Sequence, residues 1–293
     1  MRSLLFVPGD DPRKIAKGLT GDADALLIDL EDSVSMARKS EARQITRENI
    51  ETALAAQTTK RLIVRINALD TGLADADLDA VMPAAPHGIL LPKCRSGADV
   101  SHLAAKLAVR EAESSLIDGS TKIIALATET AGSLFHMGTY SGCNHRLIGL
   151  TWGAEDLAAD LGAEANRNVA GQYTDPYRLA RALAIFAAAA AEVTAIDTVY
   201  PNFRDLDGFR ADAEAGRRDG FSAKMAIHPA QVPIINEVFT PSAEAVAHAT
   251  AIVEGFAANP TAGVISINGA MIDRPHLRQA ERILARANAA GIV

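Results

Sequence analysis

The familiar signatures of redox, zinc and nucleotide sites are missing from this chain of 293 residues. Its two cysteines, Cys94 and Cys143, form no CxxC pair, which suits free thiols in a reducing cytoplasm. No HxxH, HExxH or Cys/His cluster occurs, so no zinc site is expected. The net charge of −7 and the lack of a Lys/Arg-rich run argue against nucleic acid as the main partner. No stretch approaches the roughly 18 uninterrupted apolar residues of a membrane span. The opening MRSLLFVPGDDP has an apolar run of only four before Pro8, too short for a signal peptide, and reads as a buried strand. What remains is an ordinary soluble composition, 48% hydrophobic and 22% charged, with material for one large domain or two small ones.

Short, continuously apolar runs recur: Ser3–Val7, Ala25–Leu30, Leu62–Ile66, Gly88–Leu91, Lys122–Ala127, Leu147–Thr151, Ala195–Tyr200 and Ala223–Ile227. Continuity rather than alternation is expected of parallel strands buried on both faces. Helical patterns separate them, among them Gly132–Tyr140, Ala154–Leu161 and Asp175–Glu192, the last opening on Asp-Pro. Eight strand–helix repeats predict an α/β fold of the (β/α)8 TIM barrel type over residues 1–240. The rival doubly wound sheet lacks support, because no GxGxxG follows the first strand and no GxxxxGK[ST] occurs. Residues 241–293 exceed what one barrel unit needs and read as a C-terminal helical lid or arm packing on a neighbouring subunit, with helices to about Ala258 and from Pro275 to about Ala290.

A barrel of this kind carries its chemistry where strands end. Those positions hold Pro8-Gly9, then Asp29, Glu31 and Asp32 of DLED, Arg65 and Asn67 of VRIN, and Lys93 of LLPK. Glu129 of ATET, Glu155 and Asp156 of WGAED, Asn202 and His228 follow. Some of the acids, Asp32 and Glu155 above all, are equally explained as helix N-terminal residues. Oxygen ligands without histidine or cysteine point to a hard cation such as Mg2+, held by one or two carboxylates, with Glu129 and Asp156 as candidates. Arg65 offers a fixed fork of donors for a substrate carboxylate, or an internal ion pair with Glu31 or Asp29, and the two are compatible. Lys93 adds a second positive charge or serves as partner to Asp29.

These residues, in this order, resemble the citrate lyase β-subunit-like family of the HpcH/HpaI aldolase/citrate lyase superfamily. The resemblance runs through RSLLFVPGDDPRKIAKG, DALLIDLEDSV, IVRINAL, ILLPK, TETAGSLF, LTWGAEDLAADLG, AIDTVYPNFRD and KMAIHPAQVPIINEVFTPS, and closes on GAMIDRPHLRQAERIL. It implies a (β/α)8 barrel in a homo-oligomer, trimer or hexamer, with Glu129 and Asp156 holding Mg2+ and Mn2+ able to substitute. It further implies that Arg65 binds the carboxylate of a 2-oxo acid, helped by backbone N–H groups of Gly153, Ala154, Glu155 and Asp156. Asp29, Glu31 and Lys93 would stand just behind the metal, and Arg13 and Lys17 would contact CoA. The GAMID segment is similar to that of malyl-CoA and citramalyl-CoA lyase-type members, which implies Asp273 as the acid/base. The residue reading alone also allows Asp273 as an N-cap ahead of Pro275.

The resemblance implies reversible cleavage of a 3-hydroxyacyl-CoA, of the malyl, methylmalyl, citramalyl or citryl type, into a short acyl-CoA and a 2-oxo acid. Three rivals stand beside it: thioester hydrolysis on the same scaffold, an aldolase acting on free hydroxy-acids, and a non-catalytic partner subunit. The GAMID segment weighs against the second rival, and the full set of polar strand ends against the third.

Overall fold

A computed structural model describes residues 1–292. Eight parallel strands close into a barrel in the order β1 to β8, with β1 paired to β8. The barrel begins with β1 (Ser3–Pro8), α1 (Pro12–Thr20), β2 (Ala25–Asp29), α2 (Lys39–Ala55), β3 (Arg61–Arg65), α3 (Ala74–Val81), β4 (Gly88–Leu91) and α4 (Gly97–Glu113). It continues with β5 (Lys122–Leu126), β6 (Leu147–Thr151), α5 (Ala154–Leu161), α6 (Asp175–Ala190), β7 (Thr194–Asp197), α7 (Leu206–Asp219), β8 (Ala223–Ala226) and α8 (Val232–Phe239). The unbroken apolar runs have the expected cause: every residue of β2, β4 and β8 is buried, wrapped outside by helices and filled inside by side chains.

The structure departs from the sequence reading in two respects. Several predicted strands stop one to three residues early, β7 ending at Asp197 and not at Tyr200. The segment predicted as a helix over Gly132–Tyr140 is a 3-10 helix, Ala131–Tyr140, in which two glycines and the lack of a side-chain cap weaken the α form.

The contacts divide the chain into two units, Arg2–Ile235 and one from Asn236 onward. The second unit has its own small core of Ala249, Ile252, Phe256, Ile272 and Ala280. It holds α9 (Ala243–Ala258), an antiparallel hairpin of β9 (Val264–Ile267) and β10 (Ala270–Asp273), and α10 (Arg274–Ala289). The hairpin turns on Asn268-Gly269, both at positive φ of 50° and 80°, the backbone that a two-residue type I′ turn demands. No helix among the described residues is long and apolar enough to cross a membrane.

Candidate active site

Parallel register puts the strand ends side by side, and the first pair to meet is Asp29 on β2 with Arg65 on β3. The guanidinium grips the carboxylate with two donors, Nε to Oδ1 and Nη2 to Oδ2, both at 2.7 Å. The N–H groups of Glu31 and Ser33 complete the shell of Asp29. Burial pushes the Asp29 carboxyl up, but the Arg65 hydrogen bonds and charge outweigh it, and the pKa sits below the usual carboxylate range. Glu31 Oε2 lies 2.8 Å from Arg65 Nη1 without hydrogen-bond alignment. Of the five guanidinium N–H groups Asp29 takes two, while Glu31 and, at 3.5 Å, Asp32 stand at Nη1, which leaves three N–H groups without an aligned acceptor. Both expected partners of Arg65 are therefore present, and donors remain for a further carboxylate.

Beneath this cluster the buried Lys39 donates to the carbonyls of Leu30 and Glu31 and to Asn67 Oδ1. Asn67 in turn donates to Leu30 O and Asp77. Asn67 thus props the DLED turn and takes no position at the mouth. Lys39, on α2, belongs to the KSEAR stretch that shares in the family resemblance, but in linear order that stretch looks like a solvated helix start and gives no sign that the lysine is buried.

Lys93 ties the two halves of the site together. It follows β4 with φ of +48°, a left-handed turn that aims its backbone N–H at Glu129 Oε2 while the side chain runs back over the mouth. Its ammonium is 2.7 Å from Glu31 Oε1 and 3.6 Å from Asp156 Oδ1. The expected partner Asp29 is corrected to Glu31 and Asp156, because Arg65 already covers Asp29. Burial lowers the Lys93 pKa, yet Glu31 and the neighbouring acids raise it more, so the lysine is firmly cationic.

Glu129 and Asp156 come together because β5 and β6 are neighbours, with Leu126 opposite Thr151. Gly153, the N-cap of α5, makes the approach close: a Cβ there would stand 2.8 Å from Glu129 Cγ. Glu129 is almost fully buried, and its Oε1 receives no hydrogen bond among the described residues. Burial first, then the Asp156 charge, push its pKa up to about 8. A buried carboxyl that keeps its proton partly because of the charge of Asp156 nearby makes, with that acid, a donor set with an unmet demand for positive charge. Among the described residues no three His, Cys, Asp or Glu side chains cluster as a metal site. A pair of oxygen ligands is nevertheless what a hard cation with remaining water or substrate ligands requires.

The backbone donors need one correction. The Gly153 N–H is engaged, donating to Thr128 Oγ1 at 3.2 Å, so only those of Ala154, Glu155 and Asp156 are left in the uncapped first turn of α5. The Glu155 side chain accepts from Asn166 on the exposed rim. Asn202 is exposed, and His228 stacks on Phe203 while its Nδ1 caps the turn after β8. Arg13 lines a cavity of about 490 Å³ together with Ser33, Lys14 and Arg38. Lys17 lies one helical turn further along α1 and does not line it. Lys14 and Arg38 are cations that the sequence reading passed over, since nothing in the linear order marks which charges share a cavity.

In the C-terminal unit Asp273 ends β10 and is the N-cap of α10, the arrangement the residue reading allowed for it. His276 Nδ1 sits 2.5 Å from its Oδ1, and this hydrogen bond holds the half-exposed carboxyl below its ordinary pKa.

Comparison with known proteins agrees with the barrel fold. The family model described as HpcH/HpaI aldolase/citrate lyase matches residues 2–229. The citrate lyase subunit beta of Leuconostoc mesenteroides subsp. cremoris is 32% identical, covering 100% of this chain and 95% of that protein. A (3S)-malyl-CoA thioesterase of Cereibacter sphaeroides is 34% identical over 98% of this chain and 95% of its own. The CitE crystal structure from Mycobacterium tuberculosis, in complex with magnesium, acetoacetate and coenzyme A, superposes with a TM-score of 0.77 at 32% identity, covering 98% of both chains.

Proposed function

The chain belongs to the HpcH/HpaI aldolase/citrate lyase family, in its citrate lyase β-like branch, and from there we propose that it is a Mg2+-dependent carbon–carbon lyase. In this reading it reversibly cleaves a 3-hydroxyacyl-CoA into a short acyl-CoA and a 2-oxo acid. The supporting observation is that Lys93 reaches both acids, its backbone N–H bonding Glu129 and its ammonium standing 3.6 Å from Asp156, and shares Glu31 with the Arg65 guanidinium. Glu129 and Asp156 would hold Mg2+, with Mn2+ able to substitute, and the cation when bound would supply Lewis-acid polarisation of the 2-oxo acid carbonyl.

The protein's own groups do the rest. The remaining N–H groups of Arg65 orient the 2-oxo acid carboxylate, and the first-turn N–H groups of Ala154, Glu155 and Asp156 add positive potential from the α5 N-terminus. Asp29 and Glu31 fix the plane of the guanidinium, and Lys93 keeps Glu31 and Asp156 from repelling each other apart. Arg13 and its cavity neighbours Lys14 and Arg38 serve the CoA phosphates, with Lys17 at their margin. Asp273, carried on a lid of residues 241–293 that serves a neighbouring subunit of a homotrimer or hexamer, takes a proton from the acyl-CoA α-carbon in the synthetic direction. The resulting enolate attacks the keto carbon and the alkoxide so formed takes the proton from the same carboxyl; in cleavage the carboxylate first accepts the 3-hydroxyl proton and then delivers it to the enolate α-carbon. The His276 hydrogen bond holds that aspartate ionised and, by lowering its pKa, leaves it a weak base until a closed lid excludes water. The Asp273→Asn protein is expected to lose about 10²- to 10⁴-fold in kcat, the usual contribution of a positioned acid/base. Calorimetry should find its Mg2+ and CoA binding unchanged; unchanged turnover would remove Asp273 from the mechanism.

A second reading, thioester hydrolysis, is favoured by the 34% identity to a malyl-CoA thioesterase. One experiment separates the two. Purified protein is incubated with malyl-, methylmalyl-, citramalyl- and citryl-CoA, with and without Mg2+, and the products are identified by mass. Acetyl- or propionyl-CoA with a 2-oxo acid, formed only with Mg2+, supports the lyase. Free CoA with the intact hydroxy-acid replaces it with the hydrolase, and no turnover of any thioester overturns both.

A further inference from the structure

We infer that Asp197 is a positioning residue for the turn that carries Asp156, acting through the indole N–H of Trp152. The inference rests on the reading of Asp156 as a cation ligand and adds a residue that stands on another strand.

Trp152, the single tryptophan of the chain, is the first residue after β6 and leads directly into Gly153-Ala154-Glu155-Asp156. It has no exposed surface, and its Nε1 donates to Asp197 Oδ1 at 2.8 Å. An indole N–H buried without an acceptor loses its hydration for nothing, so the ring is held to the one orientation that reaches Asp197. The ring edge also meets Tyr173, at 5.0 Å between centroids.

The acceptor is itself fixed. Asp197 ends β7 and is buried. Its Oδ1 also takes the N–H of Thr198, its Oδ2 takes the Lys224 ammonium at 3.0 Å, and Arg181 Nε stands 3.6 Å from Oδ1. Helix α7 closes over it at Gly216, where a Cβ would come within 2.6 Å of Asp197 Oδ2. With these partners the carboxylate has one orientation available, and so has the tryptophan that bonds to it.

From the opposite side the turn is held by residues just past β5. The Gly153 N–H donates to Thr128 Oγ1, and the Gly153 Cα packs on Glu129. Asp156 therefore projects from a turn held from two sides, by Thr128 just past the end of β5 and by Asp197 at the end of β7. Two carboxylates can share one cation only while their separation is kept to a fraction of an ångström, which is the task that supporting hydrogen bonds perform at metal sites. A residue filling only a structural role would affect unfolding and leave the affinity for the ion untouched.

The test uses Trp152→Phe, which keeps most of the ring and deletes the N–H, beside Asp197→Ala and Asp197→Asn. Asn retains an oxygen acceptor for the indole, and Lys224 retains Asp212 at 2.8 Å in every variant. Mg2+ affinity is measured by calorimetry on the intact protein, with Tm and the kinetic constants recorded alongside. Trp152→Phe and Asp197→Ala are expected to weaken Mg2+ binding by about 10- to 100-fold, with KM for the thioester unmoved, and Asp197→Asn to recover most of the loss. Wild-type Mg2+ affinity in Trp152→Phe, whatever its Tm, overturns the inference, and that variant decides the question even if Asp197→Ala fails to fold. The functional reading fails separately: if Glu129→Ala binds Mg2+ as the wild type does, the ion is elsewhere and both fall.

Discussion

The Glu129→Gln protein is expected to lose Mg2+-dependent turnover by a factor on the order of 10³ while becoming more stable than the wild type in metal-free buffer at neutral pH. The first effect follows from removing a ligand whose cation supplies several kcal/mol of charge stabilisation, each 1.4 kcal/mol being about tenfold in rate. The second follows from the Glu129 pKa of about 8. A carboxyl whose pKa is raised on folding binds its proton more tightly in the folded than in the unfolded chain. Its contribution is fully present below the unfolded value, near 4.5, and is lost as the pH rises through about 8. Metal-free wild type should therefore lose Tm across that window relative to Glu129→Gln, whose amide does not titrate. Mg2+ competes with the proton, so its affinity should climb by nearly tenfold per pH unit up to about 8 and then level off. Paired melting curves from pH 5 to 9, with and without Mg2+, check both statements. Superimposable metal-free profiles for the two proteins would contradict the assigned burial of Glu129.

Arg65→Met is expected to cost about 3–5 kcal/mol of stability, because it strands two buried carboxylates that now share one guanidinium. Denaturant unfolding reads this directly. Combining it with Asp29→Asn should restore part of the stability, since the stranded charge beside the lost guanidinium is then gone, yet activity should stay absent in the double variant. Arg65→Lys separates the two roles differently. It keeps a positive charge but has no planar fork, so KM for the 2-oxo acid should rise well beyond any change in unfolding midpoint. Recovery of activity in the Arg65→Met, Asp29→Asn protein would mean that Arg65 is purely structural.

Much of this site was legible in the linear chain for a simple reason. In a closed parallel barrel every strand ends at the same rim, so residues just past an apolar run must meet whatever ends the next run. Asp29 and Arg65, and Glu129 with Asp156, follow from that rule, although many residues separate the members of each pair in sequence. The rule is silent on residues reached from the outer layer. Lys39 under the DLED turn, Asp77 behind Asn67, and Lys224 between Asp197 and Asp212 are buried charges in networks that each draw one member from a helix. A charge inside a short apolar strand, as in AKMA, was the one available hint. The hairpin of the C-terminal unit had a clearer sign in Asn268-Gly269, flanked by VISI and AMID.

The chain's order alone determined the architecture, the rim at which the strands end and the acids that stand there, because apolar runs of strand length leave little choice about what is buried. Three-dimensional packing decided which donors remain open: that Lys93 serves Glu31 and Asp156, that the Gly153 N–H is already bonded, that Arg13 and not Lys17 lines the cavity, and that Trp152 hangs from Asp197. Hydrogen bonds are directional over a few tenths of an ångström, and no linear pattern records direction at that scale.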